Sequence, residues 1–533
     1  MKYKQILLTR PPTGSNALQG GSDADPHPQP PLGLAYLAGV LERLPDLNVL
    51  DILDGNFSEN YVYDVKMAVK KHNPDFVGFS AFTPFANPAL EAATAVKEIN
   101  PNILTVLGGP HAVLADVTLQ KCPALDIISY DESEGQIEEI ILGNKLEDIP
   151  GLFIRKNGKI VPTAPRSYIK NMDDLPYPAY HKLPHFPDGY HPHPPKSTGK
   201  KWSSIMWSRG CPFFCNYCNR ENSFGLQFRN QSPEYVIDHI KYLHSEFGIE
   251  ELTFYDDVMS LNRKATMKLL EKMTPENLGF NLVWDAETRV DLVDQEMLYA
   301  MKKAGCRMMS YGIEHGEFIH EIKGGTATLK QAEDAVKWTH KAKIETVGYY
   351  MIGLPKETPE TIRKTIDFAK KLNCTYAQFA ITMPFPGNKL YDEAVKAGLI
   401  QLDDTWDKFV YSGIGSGGVQ APVLTTQTLS ADDLAMWAKK AYHEYYFRPS
   451  YIMQKVLKIR SLDDLKMYYN GYKMLKKDTA WLKLKITVGI PAFNEEKNII
   501  HIIKKLQKKA DYIIVCDDGS TDKTGEIAEK MGA

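Results

Sequence analysis

Short apolar segments alternate with helical patterns along most of this chain, and that alternation restricts its fold more than any other feature. Within residues 4–145, residues 32–44 repeat apolar side chains at helical spacing, and strands are predicted at 5–9, 49–54, 76–80, 103–109 and 125–129. Strands that alternate with helices indicate a doubly wound parallel sheet, whose ligands bind beyond the carboxyl ends of the strands. The sequence therefore predicts an α/β protein with a Rossmann-like domain at residues 1–145.

The alternation resumes near residue 201. Strands are predicted at 204–207, 251–255, 282–285, 307–312, 346–352 and 377–382, and the patterns between them include helices at 233–247 and 329–342. Six β/α units make a partial barrel that is open at one side. Residues 146–200, rich in proline and glycine, predict a connector that begins with a β-hairpin turning at Asn157 and Gly158.

Three cysteines, Cys211, Cys215 and Cys218, follow the first strand of the second block with the spacing C-x3-C-x2-C. Three closely spaced thiolates can ligate three irons of a [4Fe–4S] cluster and leave the fourth iron open to a substrate or cofactor. A zinc site with His191 or His193 as fourth ligand is the alternative, although structural zinc sites usually pair two ligand clusters and no second cysteine pair is present. With seven cysteines in 533 residues, a disulfide framework is not expected.

Charge and hydropathy exclude several classes of function. The net charge of −3 provides no basic field for nucleic acid. No apolar run reaches the roughly 18 residues of a membrane span, and the chain starts almost directly with a strand rather than a signal sequence. We therefore expect a soluble, cytoplasmic, multidomain protein without a transmembrane segment.

The cysteine motif, the aromatic Tyr217 before its last cysteine and the preceding α/β domain resemble the class B radical S-adenosylmethionine (SAM) enzymes, in which a cobalamin-binding domain precedes the barrel. Residues 30–38, 78–82, 108–111 and 131–135 carry the N-terminal part of this resemblance. It implies a partial (β/α)6 TIM-type barrel at residues 201–385 and a [4Fe–4S] cluster on the three cysteines. It also implies cleavage of SAM to methionine and a 5′-deoxyadenosyl radical.

The resemblance further implies which residues contact SAM at the ends of the barrel strands. The expected contacts are Asp256, Asp257, Glu287, Arg289, Ser310, Glu314, Met351 and Gly353. A carboxylate or carbonyl after the second strand suits the ammonium group of the methionine moiety. Each charged position is equally typical of a solvated loop or of an Arg–Glu pair, for instance Arg289 with Glu287 or Glu314.

Small residues at the carboxyl ends of the N-terminal strands are the expected cobalamin contacts, namely Ser80, Thr83, Gly108 and Gly109. Glycine there lets a ligand approach the backbone closely. The D-x-H-x-x-G motif of methionine-synthase-type cobalamin domains is absent from residues 9–16, which excludes axial ligation through that motif. His111 is a weak substitute, and a fold that is retained without its cofactor is the alternative.

The remainder of the chain is predicted as two further regions. Residues 386–480 predict a helical region with a glycine-rich stretch at 412–418, interpreted as a mobile loop, and a lysine-rich segment at 455–485, interpreted as a solvated helix face or a contact with anionic lipid. Residues 481–533 resemble the first two strands of a family-2, GT-A-type glycosyltransferase. The later D-x-D motif and catalytic base are missing, so we expect a truncated fragment without transferase activity.

The leading prediction is a radical SAM enzyme that uses cobalamin to methylate or rearrange an unactivated carbon of a small-molecule or lipid-linked substrate. The resemblance implies an electron donor such as flavodoxin or ferredoxin. Two alternatives stay open at this point, a glycosyltransferase fusion and a scaffold that binds cobalamin or a cluster without turnover. A methylthiotransferase is disfavoured, because its N-terminal domain needs three cysteines of its own and this one has only Cys122.

Overall fold

The structure, a computed structural model, describes residues 2–13, 27–193, 195–219, 224–400, 406, 424–457, 469, 473, 487–507 and 512–532. The chain divides into two units, Met1–Tyr468 and Tyr469–Ala533. Among the described residues, no helix combines the length and the hydropathy that crossing a membrane requires.

The first sheet of the larger unit, here called the N-terminal sheet, contains eight strands within the described residues. They are β1 (Gln5–Arg10), β2 (Asn48–Val49), β3 (Leu53–Asp54), β4 (Phe76–Ser80), β5 (Leu104–Gly108), β6 (Ile127–Ser129), β7 (Leu152–Lys156) and β8 (Lys159–Pro162). Their order is β2-β1-β4-β5-β6-β7-β8, with β3 also paired to β1. The first six strands pair in parallel, which confirms the predicted Rossmann-like sheet.

Five helices accompany this sheet, α1 (Leu32–Leu41), α2 (Tyr61–His72), α3 (Ala86–Ile99), α4 (Ala115–Lys121) and α5 (Glu134–Leu142). The predicted helix at 32–44 ends earlier, because Pro45 disfavours helical backbone at the residue before it. The predicted strand at 49–54 is wrong as one element. It is split into β2 and β3, because the Ile52 N–H donates to the Lys182 carbonyl at 2.8 Å instead of continuing the ladder.

The predicted hairpin at Asn157 and Gly158 is formed by β7 and β8, and β7 pairs antiparallel with β6. The start of the predicted connector therefore belongs to the N-terminal sheet. Alanines of α3 make its close packing on the sheet possible, since Ala86, Ala89, Ala92 and Ala93 are fully buried in the same apolar cluster as Val77.

A second sheet contains, within the described residues, six parallel strands in chain order. These are β9 (Trp202–Ile205), β12 (Glu251–Phe254), β13 (Val283–Arg289), β14 (Cys306–Glu314), β15 (Glu345–Ile352) and β16 (Tyr376–Ile381), while β10 (Ser208–Arg209) and β11 (Arg229–Asn230) form a separate antiparallel pair. All six predicted strands exist. The parallel order agrees with the predicted β/α units, and closure into a partial barrel stays a prediction.

The helices of this region are α6 (Pro233–Phe247), α7 (Arg263–Lys272), α8 (Pro275–Leu278), α9 (Gln295–Lys303), α10 (Ile319–Ile322), α11 (Leu329–Lys341), α12 (Pro359–Leu372) and α13 (Lys389–Lys396). Capping boxes begin α11 at Thr328 and α12 at Thr358. Several strand boundaries differ from prediction by one or more residues, and two of these differences concern the site. The first strand ends before Trp207, whose N–H donates to Asp256 Oδ1, and the third continues to Arg289, so Glu287 and Arg289 lie within a strand.

After the second sheet, α14 (Ala431–Tyr446) and α15 (Pro449–Val456) are described. The Arg363 guanidinium of α12 forms two hydrogen bonds, of 2.6 and 2.9 Å, with the Glu444 carboxylate of α14. The glycine-rich stretch at 412–418 and most of the lysine-rich segment at 455–485 lie outside the described residues.

The smaller unit contains a parallel pair, β17 (Thr487–Ala492) and β18 (Tyr512–Asp517), with the helices α16 (Ile499–Leu506) and α17 (Thr524–Lys530). Its apolar cluster consists of few buried side chains, namely Ile490, Ala492, Ile499, Ile503 and Ala528.

Candidate functional site

The three cysteines lie on the segment that joins β10 to β11, and the described residues of this segment, 210–219 and 224–228, are called the cysteine loop below. Gly210 has φ of +85°, and a Cβ on it would lie 2.2 Å from the Gln227 carbonyl oxygen, so glycine is required there. The Cys211 N–H donates to the Gly225 carbonyl at 3.1 Å. The Asn216 N–H donates to the Ile322 carbonyl of α10 at 3.2 Å. The loop is therefore anchored both internally and on the second sheet.

The accessibility of the cysteines suits ligation by a shared group. Cys211 is buried, Cys215 and Cys218 are partly exposed, and none of the three forms a disulfide with another described residue. Among the described residues, no three His, Cys, Asp or Glu side chains converge to hold a single metal ion. The zinc alternative therefore has no preformed site in that part of the chain. Each cysteine of an iron–sulfur cluster ligates a different iron, so such cysteines do not need to converge on one point.

Arg289, at the end of β13, lies beside the cysteine loop. Its Nη1 is 3.5 Å from Cys215 Sγ, and its guanidinium lies 3.8 Å from the Phe213 ring centroid. Its partner is Asp291, through hydrogen bonds of 2.9 and 3.0 Å. The proposed pairing of Arg289 with Glu287 or Glu314 is therefore wrong. The Arg289 guanidinium therefore places a positive charge beside Cys215 Sγ.

Tyr217 and Glu314 are brought together by the fold. The Tyr217 hydroxyl donates to Glu314 Oε1 at 2.8 Å, and Lys323 Nζ lies 3.0 Å from the same oxygen. Burial, and after it the charge of Glu314, raises the pKa of Tyr217 well above its ordinary value. Glu314 has φ of +67°, an unusual conformation for a non-glycine residue. The aromatic residue between Cys215 and Cys218 is thus fixed to the carboxyl end of β14.

Asp256 lies just beyond β12 and is buried, whereas its neighbour Asp257 is exposed. Asp256 Oδ1 accepts from the backbone N–H groups of Trp207 and Ser208 at 3.1 and 2.5 Å and from Ser208 Oγ at 2.6 Å. Its other oxygen, Oδ2, has no hydrogen-bond partner within the described part of the chain. Burial raises the pKa of Asp256 from 3.8 to about 7. Asp256 therefore fixes the backbone that leads into the cysteine loop through Oδ1, and its Oδ2 is left as an acceptor for a ligand.

This pKa gives a prediction about pH. Because the pKa of Asp256 is raised in the folded state, that state binds the proton more tightly, and stability decreases as pH rises from about 4 to about 7. Asp256→Asn keeps an acceptor oxygen and is expected to flatten this dependence, measured as urea midpoints at several pH values. Asp188→Asn, at a carboxylate 76% exposed, is the control and should leave the profile unchanged. An equally steep decrease in Asp256→Asn would contradict the assignment.

Glu287 is part of a polar cluster in which Asp285 and Lys196 are largely buried and the Glu287 side chain is partly exposed. Glu287 Oε1 lies 3.0 Å from Lys196 Nζ and accepts from the Tyr349 hydroxyl at 2.8 Å. Lys196 also lies 3.1 Å from Asp285 Oδ1. Burial opposes ionisation of Glu287, but the Lys196 ammonium outweighs it and holds the pKa of Glu287 below its ordinary value. Sequence reasoning missed Lys196, because it belongs to the connector and no motif marks it.

The turn after β15 contains Gly353, with φ of +97°. The Gly353 and Leu354 N–H groups donate to Glu357 Oε2 at 2.5 and 3.0 Å, and His315 Nε2 lies 3.0 Å from Glu357 Oε1. Both members of the His315–Glu357 pair are fully buried. No sequence motif marks Glu357 as a site residue. It links the turn after β15 to the turn after β14.

Ser310 lies in the middle of β14 rather than at its end and pairs in register with Glu287, whereas Met351 lies next to the end of the adjacent strand β15. Two further buried acceptors near the same edge have no hydrogen-bond partner in the described residues, Asn216 Oδ1 in the cysteine loop and Thr382 Oγ1 after β16. Together with Asp256 Oδ2, they are satisfied if a polar ligand binds here. The edge therefore fits a ligand rich in hydrogen-bonding groups, such as SAM.

The carboxyl edge of the N-terminal sheet is lined by small residues. Ser80 and Gly108 pair in register at the ends of β4 and β5. Gly109 has φ of +84°, and a Cβ on it would lie 2.8 Å from Ser80 Oγ and 3.0 Å from the Ala81 carbonyl oxygen. This open edge fits a large, flat ligand such as cobalamin.

Thr83 and His111 lie behind that edge. The Thr83 hydroxyl is 3.3 Å from His111 Nδ1, and His111 Nε2 is 3.0 Å from the Thr118 hydroxyl. The imidazole is fully buried, 4.5 Å from the Trp406 ring, and burial lowers the pKa of His111 to about 4. Both ring nitrogens are engaged, so His111 does not serve as the substitute axial ligand. Contact of Thr83 with cobalamin stays a prediction.

Comparison with protein families gives three matches. The radical SAM superfamily matches residues 205–369, and the B12 binding domain matches residues 25–141. Glycosyl transferase family 2 matches residues 487–532.

Individual relatives cover nearly the whole chain. An uncharacterized methyltransferase of Pyrococcus horikoshii is 35% identical over 488 residues, which are 88% of this chain and 100% of that protein. The cobalamin-dependent SAM radical enzyme OxsB, solved with aqua-cobalamin and SAM, has a TM-score of 0.68 at 13% identity and covers 99% of this chain and 78% of its own. The radical SAM methyltransferase TsrM from Kitasatospora setae has a TM-score of 0.59 at 18% identity, and the match covers 82% of this chain and 85% of the TsrM chain. At these identities, the two structures establish a shared fold.

Proposed function

Because the chain belongs to the radical SAM superfamily and carries a B12 binding domain, we propose that it is a cobalamin-dependent radical SAM enzyme that methylates carbon. The observation that carries the proposal is the anchored loop that presents three closely spaced cysteines beside the polar edge of the second sheet. The Pyrococcus horikoshii relative, named as a methyltransferase, supports methylation over cyclisation or rearrangement. The glycosyltransferase alternative is not favoured, since its match is confined to residues 487–532.

We assign Cys211, Cys215 and Cys218 as the protein ligands of the [4Fe–4S] cluster, and the strand ends from Asp256 to Gly353 as the SAM site. When bound, the cluster with SAM supplies reductive cleavage to a 5′-deoxyadenosyl radical, and cobalamin supplies a carrier for the methyl group. Arg289 keeps positive charge beside Cys215 Sγ. Tyr217, held by Glu314 and Lys323, fixes the backbone between Cys215 and Cys218.

We further propose that the cobalamin lies on the edge formed by Ser80, Gly108 and Gly109. Gly109→Ala would place a Cβ against Ser80 Oγ and Ala81, so cobalamin affinity is expected to fall about tenfold, as for a misfit of about 1.4 kcal/mol. The iron content should not change. Gly158→Ala is the matched control, because Gly158 also has positive φ, +75°, but a Cβ there meets nothing within 4 Å. Equal cobalamin retention in both variants, measured by absorbance after gel filtration, would contradict the placement.

The proposed substrate is a small molecule or a lipid-linked molecule, with flavodoxin or ferredoxin as reductant and the cytoplasm as location. Within the described residues, β9 and β16 do not pair to close the second sheet, and an unclosed sheet supports a bulky substrate.

The experiment that tests the proposed function is anaerobic purification with reconstitution, followed by metal analysis and the visible spectrum. We expect about four iron atoms and about one cobalt atom per chain, with cluster and corrinoid absorbance together. Iron without cobalt after loading with hydroxocobalamin would limit the function to radical SAM chemistry without cobalamin. Absence of both metals would reject the proposal.

A further inference from the structure

Four charged side chains are buried where the N-terminal sheet meets the base of the cysteine loop. Glu132 and Glu134 follow β6, and Arg209 and Arg229 lie in β10 and β11. Arg209 forms ion pairs of 3.1 Å with Glu132 and 2.7 Å with Glu134, and Arg229 forms one of 2.8 Å with Glu132. Each of the four side chains is at most 9% exposed. We call these four residues the charge cluster.

The two arginines are direct neighbours, since Arg209 and Arg229 are paired in register across β10 and β11. Like charges placed directly opposite each other destabilise an antiparallel pair, and burial increases the repulsion. Glu132 offsets it, because its carboxylate accepts from Nη1 of both arginines and also from the Ile169 N–H at 2.8 Å. With Glu134, the two positive charges are balanced by two negative charges. The β10–β11 pair is therefore stable only with these carboxylates in place.

The β10–β11 pair closes the base of the cysteine loop. Beyond its ion pair, Arg229 donates from Nη2 to the Phe224 carbonyl at 3.0 Å and from Nε to the Gln227 carbonyl at 3.2 Å. Gly225, between these two residues, accepts from the Cys211 N–H at 3.1 Å. Hydrogen bonds thus connect Glu132 through Arg229 to Phe224, and the next residue along the chain, Gly225, is hydrogen-bonded to the backbone of the first cysteine.

We propose that Glu132 is a positioning residue through which the B12-binding domain fixes the cysteine loop, so that the loop is ordered only when that domain is docked. This inference rests on the proposed function, in which the domain that binds cobalamin also sets the position of the cluster ligands. The Glu132 side chain is only 3% exposed. It acts through Arg209 and Arg229.

A purely structural role, in which the charge cluster only helps the two domains adhere, makes a different prediction. The two domains are also joined through the connector, where the Ala179 N–H donates to the Ala35 carbonyl of α1 at 2.8 Å and the Tyr180 hydroxyl donates to the Ser204 carbonyl of β9 at 3.2 Å. If the charge cluster only held the domains together, its loss would accelerate amide exchange both at residues 208–230 and around Ala35 and Ala179. If the charge cluster positions the loop, its loss accelerates amide exchange in residues 208–230 alone.

The test is amide hydrogen exchange on the full chain carrying Glu132→Gln, compared with wild type. Removing one charge from a buried network leaves an arginine uncompensated, so exchange in peptides spanning 208–230 is expected to accelerate about tenfold or more. Peptides around Ala35 and Ala179 should not change. Iron release from the reconstituted protein to a chelator should be several-fold faster, with cobalamin content equal to wild type. Glu147→Gln is the matched control, a carboxylate of the same domain that is 50% exposed and 3.8 Å from Lys156.

Unchanged exchange at 208–230 in folded Glu132→Gln would overturn the proposal, as would equal acceleration at Ala35 and Ala179. If Glu132→Gln does not fold, Glu134→Gln decides, because it removes only the second ion pair of Arg209. A selective rise at 208–230 is then expected, and no rise overturns the proposal. Failure of the proposed function can be distinguished from failure of the positioning role of Glu132. It would leave wild type without iron or cobalt, while the exchange comparison on the chain as purified still reports on the loop.

Discussion

Cys218→Ala is expected to abolish SAM cleavage, with 5′-deoxyadenosine formation reduced by at least about a thousandfold. A [4Fe–4S] cluster whose protein ligands are three thiolates loses an iron ligand when one is removed, and the open position for SAM is no longer defined. The iron content should fall, and cobalamin binding should persist, because Ser80, Gly108 and Gly109 lie on the other sheet. The measurement is chromatographic quantitation of 5′-deoxyadenosine in anaerobic assays with dithionite.

The control for this variant is Cys516→Ala. Cys516 is an exposed free thiol on β18 of the smaller unit. Its replacement is expected to leave iron content and SAM cleavage at wild-type values. Loss of 5′-deoxyadenosine in both variants to the same extent would show that general thiol chemistry, not the cysteine loop, determines the activity.

Glu357→Ala is expected to produce the largest loss of stability, about 3–5 kcal/mol in the free energy of unfolding of the larger unit. The substitution leaves the Gly353 and Leu354 N–H groups and His315 Nε2 without their acceptor in a fully buried place. Each abandoned donor costs roughly 1–3 kcal/mol. Urea unfolding followed by tryptophan fluorescence provides the measurement.

Glu321→Ala is the matched control for the stability prediction. Glu321 forms an ion pair of 3.0 Å with Lys356, but both side chains are more than half exposed, at 58% and 75%. Surface pairs of this kind contribute about 0–1 kcal/mol. A loss in Glu357→Ala no larger than in Glu321→Ala would contradict the importance assigned to the turn after β15.

Much of the fold was predictable because strand and helix patterns are local. The helix Pro233–Phe247 was predicted to the residue, since Ser232 caps its start and Gly248 ends it in a left-handed conformation. The division of 49–54 into two strands was not predictable, because it depends on a hydrogen bond to Lys182, more than a hundred residues away.

The candidate site was predictable only where the functional residues lie close together in sequence and form a short motif. The three cysteines follow from their spacing alone. Lys196, Lys323 and Asp291 carry no such signal, and they become part of the site only through folding, which brings them to Glu287, Glu314 and Arg289. Polarity also misled the prediction for Glu287 and Arg289, which lie within β13 although charged residues favour loops.

The central claim is that one chain binds a [4Fe–4S] cluster and cobalamin and uses both with SAM. It is tested most directly by incubating the loaded wild-type protein with SAM and dithionite without oxygen, and quantifying 5′-deoxyadenosine and S-adenosylhomocysteine in the same sample. We expect the wild-type protein to form both products and the Cys218→Ala variant to form no 5′-deoxyadenosine. Formation of neither product by protein that contains about four irons and about one cobalt per chain would contradict it.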